Sequence, residues 1–588
     1  MAADPPSNVS GRSLVARQAD GDKHDALVTR LRWPSPMASR PPQRQVASPR
    51  DGRWERDWKL SSCGVEPDAA LRGQAHFGDL TMLLHEGTTC WRVGAAPRAA
   101  FLLDMADYFL AAREAMSKAQ RSIHLLNWAF DPDTLFDPKP GYTGLDSDRF
   151  GEFLKELASS RPELDVRVLC WKSPMAIAAT QDFFTLKARK CFTGTPVKFV
   201  LDGALPLGAS HHQKIIVVDD AVAFCGGGDI GPDRWDTPEH LDDNPRREKT
   251  SRDNKCYDSR HEVMTLVDGA PALALGQLFR DRWTRATGET LPEPEALAPS
   301  AWPACVKPDF RQVSVGLSRS VAAWRQVKQV RESEALYLAS IASAKRCIYL
   351  ENQYLTSPIM AEALAARLGE PNGPEVILVS TQHSPSYFDQ MTMDRTRSVF
   401  LKRLQDADKF GRFQAYSPVT NLGRTIIVHG KMAIIDDTLL RVGSSNLNNR
   451  SFGFDTECDL SIEVPRGKRG AAGQTRIADI RTRIIAHWFG CEDGVVQAAL
   501  SKSGRVGRAI EELRGAGYRR LRPLLPTPIG PMATFIATFH IGDPITPHDS
   551  WRPWTRRTRL KAALAAAARK VQRAGLPTPP RRLSEKSI

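Results

Sequence analysis

No run of about 18 apolar residues, the length that spans a bilayer, occurs anywhere in the sequence. The first residues, MAADPPSNVSGRSLVARQADGDKHD, lack the apolar core of a secretory signal. A cytoplasmic or peripheral-membrane protein is therefore expected, with export by a non-classical route left open. The ten cysteines show neither CxxC nor Cys/His metal spacing. Cys170, Cys225 and Cys347 fall in or beside apolar runs and read as buried reduced thiols, disulfides in an exported form being the alternative. The chain is also short of net charge where it matters. Its formal +14 resolves into +4 over residues 1–60, +10 over 551–588 and zero over 61–550. A nucleic-acid enzyme often concentrates basic charge around its cleft, so this distribution leans against nucleic acid as partner.

A length of 588 residues suits two or three domains. Residues 1–75 are rich in Pro, Ser, Arg and Asp without periodicity and read as mostly disordered. Beyond them, SIHLLNWAF (122–130), DRFGEFLKELAS (148–159) and DVRVLCW (165–171) read as strand, helix, strand. CIYLENQYL (347–355), AEALAARLG (361–369) and EVILVST (375–381) repeat that order. The pattern predicts an α/β fold of two similar halves, 76–300 and 301–500, with a boundary in the Pro-rich LPEPEALAPSAWPAC (291–305). A C-terminal extension, 501–550, and a basic tail, 551–588, come after them. The tail's TRLKAALAAAARKVQR (558–573) has high helix propensity and a basic face. It reads either as a solvated helix or as an interfacial helix drawn to anionic lipid.

The decisive feature is a duplication. HHQKIIVVDDAVAFCGGGD (211–229) and VHGKMAIIDDTLLRVGSSN (428–446) each contain H-x-K-x4-D. The residues are His212, Lys214 and Asp219, then His429, Lys431 and Asp436. Each Asp opens a turn between apolar runs, which predicts a β-hairpin. On a strand, residues two apart point to the same face, so His and Lys could address one phosphate. A Gly-rich turn comes after each copy at equal distance, at Gly226 and Gly443. Burying His and Lys on a strand costs several kcal/mol unless they are partnered, which argues against incidental polar residues. Imidazole can serve as nucleophile and as proton donor near neutral pH, and two ammonium groups can stabilise charge growing on a phosphate.

With these residues, the sequence resembles the phospholipase D superfamily, whose signature is this duplicated motif. AFCGGGDIGPDRWD (223–236), IYLENQYLTS (348–357) and GSSNLNNRS (443–451) resemble further segments of its lipid-cleaving bacterial and eukaryotic members. The likeness covers about 76–500 and neither tail. It implies two α/β halves packed as a pseudo-dimer, with one active site at their interface.

The resemblance also implies roles. His212 would attack phosphorus to give a phosphohistidine, and His429 would protonate the leaving alcohol and then activate water. Analogy alone decides between the two. Lys214 and Lys431 would clamp phosphate oxygens. Asn446, accompanied by Ser444, resembles the phosphate-facing Asn of the family, and the first half carries Asp229 and Gly227 in those places. Asp219 and Asp436 belong to the catalytic motif, with a structural hydrogen-bonding role expected. Glu457, in TECDLSIEV, matches the downstream carboxylate that orients a catalytic His, and Glu262, in RHEVMTLV, is its first-half counterpart. Counted within each half, these lie 28 and 50 residues after the His, the excess reading as a polar loop, 238–255. No metal site and no cofactor is implied. The expected reaction is hydrolysis of a glycerophospholipid to phosphatidic acid and head-group alcohol, or transfer to another alcohol. A nuclease and a cardiolipin-synthase-like phosphatidyltransferase are the alternatives. A monomer is expected, touching anionic membrane through the basic tail.

Overall fold

In the computed structural model, the described residues are 82–140, 144, 146–174, 184–248, 256–294, 299–514, 519–527 and 530–546. All belong to one compact unit, Gly78–Ile588. The sequence expectations for 1–75 and for the basic tail lie outside the described residues.

Eighteen strands are described. The first eight are β1 (Arg92–Leu103), β2 (Ser122–Asn127), β3 (Asp165–Trp171), β4 (Lys198–Asp202), β5 (Ile215–Val218), β6 (Val222–Gly226), β7 (Arg260–His261) and β8 (Val263–Asp268). The second series is β9 (Phe310–Val321), β10 (Val330–Arg331), β11 (Cys347–Glu351), β12 (Glu375–Val379), β13 (Phe413–Val419) and β14 (Ile427–Val428). It ends with β15 (Met432–Ile435), β16 (Leu439–Gly443), β17 (Glu457–Glu463) and β18 (Arg520–Pro523). Sixteen strands form one continuous sheet. From the central antiparallel pair β1–β9, one side runs β8, β6, β5, β2, β3, β4, and the other runs β17, β16, β15, β11, β12, β13. The duplication seen in sequence is thus a duplicated strand order, and the halves are joined edge to edge by β1 and β9.

The expected strand–helix–strand units are present. β2 and β3 pair in parallel around a helix at Phe150–Ser160, and β11 and β12 do so around a helix at Pro358–Leu368. The strands alternate their side chains between two faces. Leu126, Ile215, Val217 and Cys225 face a core that runs on through Val442 and Leu460 of the second half. Ile123, Leu125, Ile216 and Val218 face a second core under the helix Asp104–Ser117. The matching face of the second half packs on Leu364, Leu368 and Leu401. The sheet is therefore covered by helices on both faces, which suits strands that are apolar throughout.

Both motif hairpins turn on a pair of aspartates in the left-handed region: Asp219 and Asp220 at φ 55° and 53°, Asp436 and Asp437 at φ 52° and 58°. Two consecutive residues at positive φ make the tight hairpin turn whose twist matches the strands, and Asp tolerates that conformation better than most residues. The described cysteines are free thiols, with Cys170, Cys225 and Cys347 buried.

Candidate active site

Each motif histidine is placed by a strand-like pairing with the opposite half. β14 runs parallel to β7, so His429 N donates to His261 O at 2.9 Å. On the other side His211 bridges Thr456, and His212 N donates to Thr456 O at 2.9 Å. Each pairing sets an imidazole beside the glutamate that opens the next segment of the opposite half. His212 Nδ1 lies 3.0 and 3.1 Å from the carboxylate oxygens of Glu457 and 3.0 Å from Ser444 O. His429 Nδ1 is hydrogen-bonded to Glu262.

The acids are crossed between halves: Glu457 serves His212, and Glu262 serves His429. The within-half spacings of 28 and 50 residues therefore do not measure the pairing.

The partners of His212 Nδ1 include a carbonyl oxygen, which can only accept. The proton therefore sits on Nδ1, leaving Nε2 as the lone-pair nitrogen. Ser451 Oγ donates to Glu457 at 2.6 Å and fixes the carboxylate.

Both lysines fold back along their strands. Lys214 Nζ donates to His212 O at 2.7 Å and lies 3.3 Å from Asp229 Oδ2. Lys431 Nζ donates to His429 O and to Gln353 Oε1, the latter at 3.4 Å. Burial and the Lys214 and Lys431 ammonium groups hold the His212 imidazole well below its usual range. Burial and Lys431, with Arg234, Arg260 and Lys214, do the same for His429. Burial brings Lys431 down to about 7, against the pull of Glu262, with Lys214 adding to the fall. Burial pushes both the Glu457 and Glu262 carboxyls up. Residues of both motifs thus share one buried electrostatic site.

Asn446 is buried and its Oδ1 has no hydrogen-bond partner among the described residues. Its first-half counterpart, Asp229, accepts from Trp128 N and Ala129 N at 3.0 and 3.1 Å. Ser444 departs from the sequence reading. Its hydroxyl accepts from Cys458 N at 3.0 Å and its carbonyl serves His212, so it secures the Glu457 strand rather than offering a hydroxyl to phosphate.

At the Ser444-equivalent position the first half has Gly227, where an added Cβ would come within 2.3 Å of Glu262 Oε1. Glycine is required there by the close approach of the acid.

Asp219 and Asp436, grouped with the catalytic motif, make the structural hydrogen bonds expected of them and lie away from the histidines. Strands advance about 3.3 Å per residue, which puts each carboxylate on the order of 20 Å from the histidine of its own motif. Asp219 instead accepts from Gln120 N, Arg121 N and Ser122 N at 2.7–2.8 Å. Asp436 accepts from Lys345 N, Arg346 N and Cys347 N at 2.6–2.9 Å. Each ties its hairpin to the start of the neighbouring strand.

Sequence reasoning gave no role to Gln353 or Arg234. The first lies in the quoted IYLENQYLTS and the second in AFCGGGDIGPDRWD, so the segments were visible although the contacts were not. It also found no metal-ligand spacing, whereas Asp104, His240, His261 and His487 lie together, fully buried, behind Glu262.

A family model described as cardiolipin synthase, PLD-like domain, matches residues 337–472. Phospholipase D1 of Schizosaccharomyces pombe is 22% identical over 458 residues, covering 62% of this chain and 33% of that protein. Phospholipase D1 of Saccharomyces cerevisiae is 22% identical over 524 residues, covering 72% and 30%. Cardiolipin synthase of Geobacillus kaustophilus is 25% identical over 252 residues, covering 43% and 42%. The chain thus spans about a third of the two phospholipases and under half of the synthase. Among solved structures, phosphatidylserine synthase of Haemophilus influenzae Rd KW20 is similar at 14% identity and a TM-score of 0.46, covering 67% of this chain and 88% of that one. The chain thus carries a PLD-like domain and is similar to phospholipases D and cardiolipin synthases.

Proposed function

We propose that the protein cleaves a phosphodiester of glycerophospholipids by two displacements at phosphorus, giving phosphatidic acid and a head-group alcohol. The observation that carries this reading is the pair of imidazoles, each bonded through Nδ1 to a glutamate of the other half, with two lysines in the same buried cluster. His212 Nε2 attacks phosphorus, forming the P–N bond as the P–O bond to the head group breaks. Glu457 steadies the imidazolium that forms. His429, protonated once the phosphodiester is bound, gives its Nε2 proton to the leaving alkoxide. It then takes a proton from water, whose oxygen displaces His212 from phosphorus. Lys214, Lys431 and the Asn446 amide stabilise the charge on the phosphoryl oxygens.

A second reading is favoured by the PLD-like domain at 337–472 and by the likeness to cardiolipin synthases. There a lipid alcohol replaces water in the second step and phosphatidyl transfer results. No helix among the described residues is long and apolar enough to cross a membrane. The basic tail, 551–588, is the segment we assign to anionic lipid surfaces, where each Lys or Arg contributes about 1 kcal/mol.

Head-group release from phosphatidylcholine and phosphatidylethanolamine vesicles, with and without glycerol or phosphatidylglycerol as acceptor, tests both readings beside a plasmid-nicking assay. Phosphatidic acid supports hydrolysis, a new phosphatidyl ester supports transfer, and nicking without lipid turnover overturns the lipid reading.

A further inference from the structure

Behind the active site, four buried side chains converge: Asp104 at the start of the helix Asp104–Ser117, His240 from the loop after Trp235, His261 of β7, and His487 near the end of the helix Ala471–Phe489. One donor atom from each lies within 4.8 Å of the others. His240 Nε2 and His487 Nε2 are 3.2 Å apart, and Asp104 Oδ2 is 3.6 Å from the first and 3.8 Å from the second. His261 Nδ1 is 3.0 Å from Asp104 Oδ1. A tetrahedral zinc with bonds of about 2.0–2.1 Å needs donors roughly 3.4 Å apart. The three separations among His240 Nε2, His487 Nε2 and Asp104 Oδ2 bracket that value.

The protons are arranged to match. His240 Nδ1 is 2.9 Å from Asp236 Oδ2, and His261 Nε2 is 3.0 Å from Glu351 Oε2. At His240 the carboxylate accepts from the outer nitrogen and leaves the inner one as a lone pair, the arrangement by which carboxylates orient metal-binding histidines. His261 lies between Glu351 and Asp104, so an ion would displace the proton from its Nδ1. Asp104 Oδ2 has no hydrogen bond among the described residues, its nearest groups being the His240 and His487 Nε2 atoms, although Asp104 is 1% exposed. Charge points the same way. Arg247 lies 3.3 Å from Asp236, and once the His261 proton is displaced Asp104 and Glu351 leave two buried negative charges for one divalent ion to offset.

We propose that Asp104, His240, His261 and His487 bind one divalent transition-metal ion, zinc being the best match to the donor set. The site is structural, since four protein donors close a tetrahedron and leave no position for substrate. Its consequence is positional. Asp104 N donates to Glu262 O at 2.9 Å, Asp104 Oδ1 accepts from Glu262 N at 3.0 Å, and His261 O accepts from His429 N. The ion therefore fixes the segment that carries the acid of His429. His487 brings the second half to the same point. The four donors are spread from 104 to 487, so no local spacing announces them.

The test uses the full-length protein, purified without chelator, equilibrated with Zn²⁺ and desalted, with metal counted by mass spectrometry. One zinc per folded chain is expected. His487→Gln and His240→Gln should each bind at least a hundredfold more weakly, and Glu351→Gln about 10–100-fold more weakly, as for other outer-sphere carboxylates. Co²⁺ in place of zinc should give the intense visible absorption of a tetrahedral centre, a reading that needs no variant. The proposal is overturned by folded wild-type protein holding under a tenth of an equivalent, by a weak octahedral Co²⁺ spectrum, or by a folded His487→Gln protein that keeps its zinc.

Discussion

Replacing Glu457 by Gln removes a carboxylate from His212 while keeping its size, and the crossed pairing sets the outcome. His212 Nδ1 is 3.0 Å from Glu457 Oε2. A hydrogen bond to a charged group contributes about 1.5–3 kcal/mol, or roughly 10- to 150-fold in rate. A Gln amide can also offer N–H to Nδ1, which moves the imidazole proton to Nε2 and blocks attack. A wrong tautomer of this kind costs up to about 10⁴ in a catalytic triad. The expected fall in kcat/KM is therefore between about 10² and 10⁴. The assay is pre-steady-state release of nitrophenol from a nitrophenyl phosphodiester. Such a leaving group needs no acid, so Glu457→Gln should be slow from the first turnover. Glu262→Gln, which disables the partner of His429, should release one equivalent quickly and then stall, because water activation is lost. A burst in Glu457→Gln with none in Glu262→Gln would mean that the nucleophile is the histidine bonded to Glu262, and would refute the assignment of attack to His212 beside Glu457.

Further outcomes rest on the same geometry. Lys431 sits at about 7 in the free protein and is cationic below that value, so inhibition by inorganic phosphate should weaken as pH rises through 7 to 8; an inhibition constant flat from about pH 6 to 9 would count against a buried, depressed lysine at the phosphate site. Asp219→Asn exchanges the carboxylate that receives three backbone N–H groups, and urea unfolding should show a loss of about 1.5–3 kcal/mol with kcat of the folded protein changed less than about twofold. Gly227→Ala drives a Cβ against Glu262; overpacking of this kind costs about 1–3 kcal/mol, and turnover should fall in parallel because Glu262 must move.

Much of this architecture was legible in sequence because its signals are local. The runs at 165–171, 347–351 and 375–379 are strands since their apolar residues are buried on both faces, and the hairpins announce themselves by Asp pairs between apolar runs. The joining strands were not read. RVGAAPRAAFLL carries Gly and Pro and alternates poorly, and its strand character comes from pairing with β8 and β9 rather than from its own pattern. The candidate site was legible as residue types but not as pairings. His212 meets Glu457 across 245 positions and His429 meets Glu262 across 167, separations that no spacing rule within a half covers. Ser444 was misread for a related reason: its neighbour is Cys458 on β17, visible only once β16 and β17 are paired.

The most direct test of the mechanism is to find which histidine carries the phosphoryl group. His429→Ala protein, mixed with a nitrophenyl phosphodiester and quenched under mildly alkaline conditions that preserve phosphohistidine, is digested and analysed by mass spectrometry. The mechanism predicts one adduct per chain on the peptide containing His212, formed within the nitrophenol burst. An adduct on another residue, or a full burst with His212 unmodified, would contradict it.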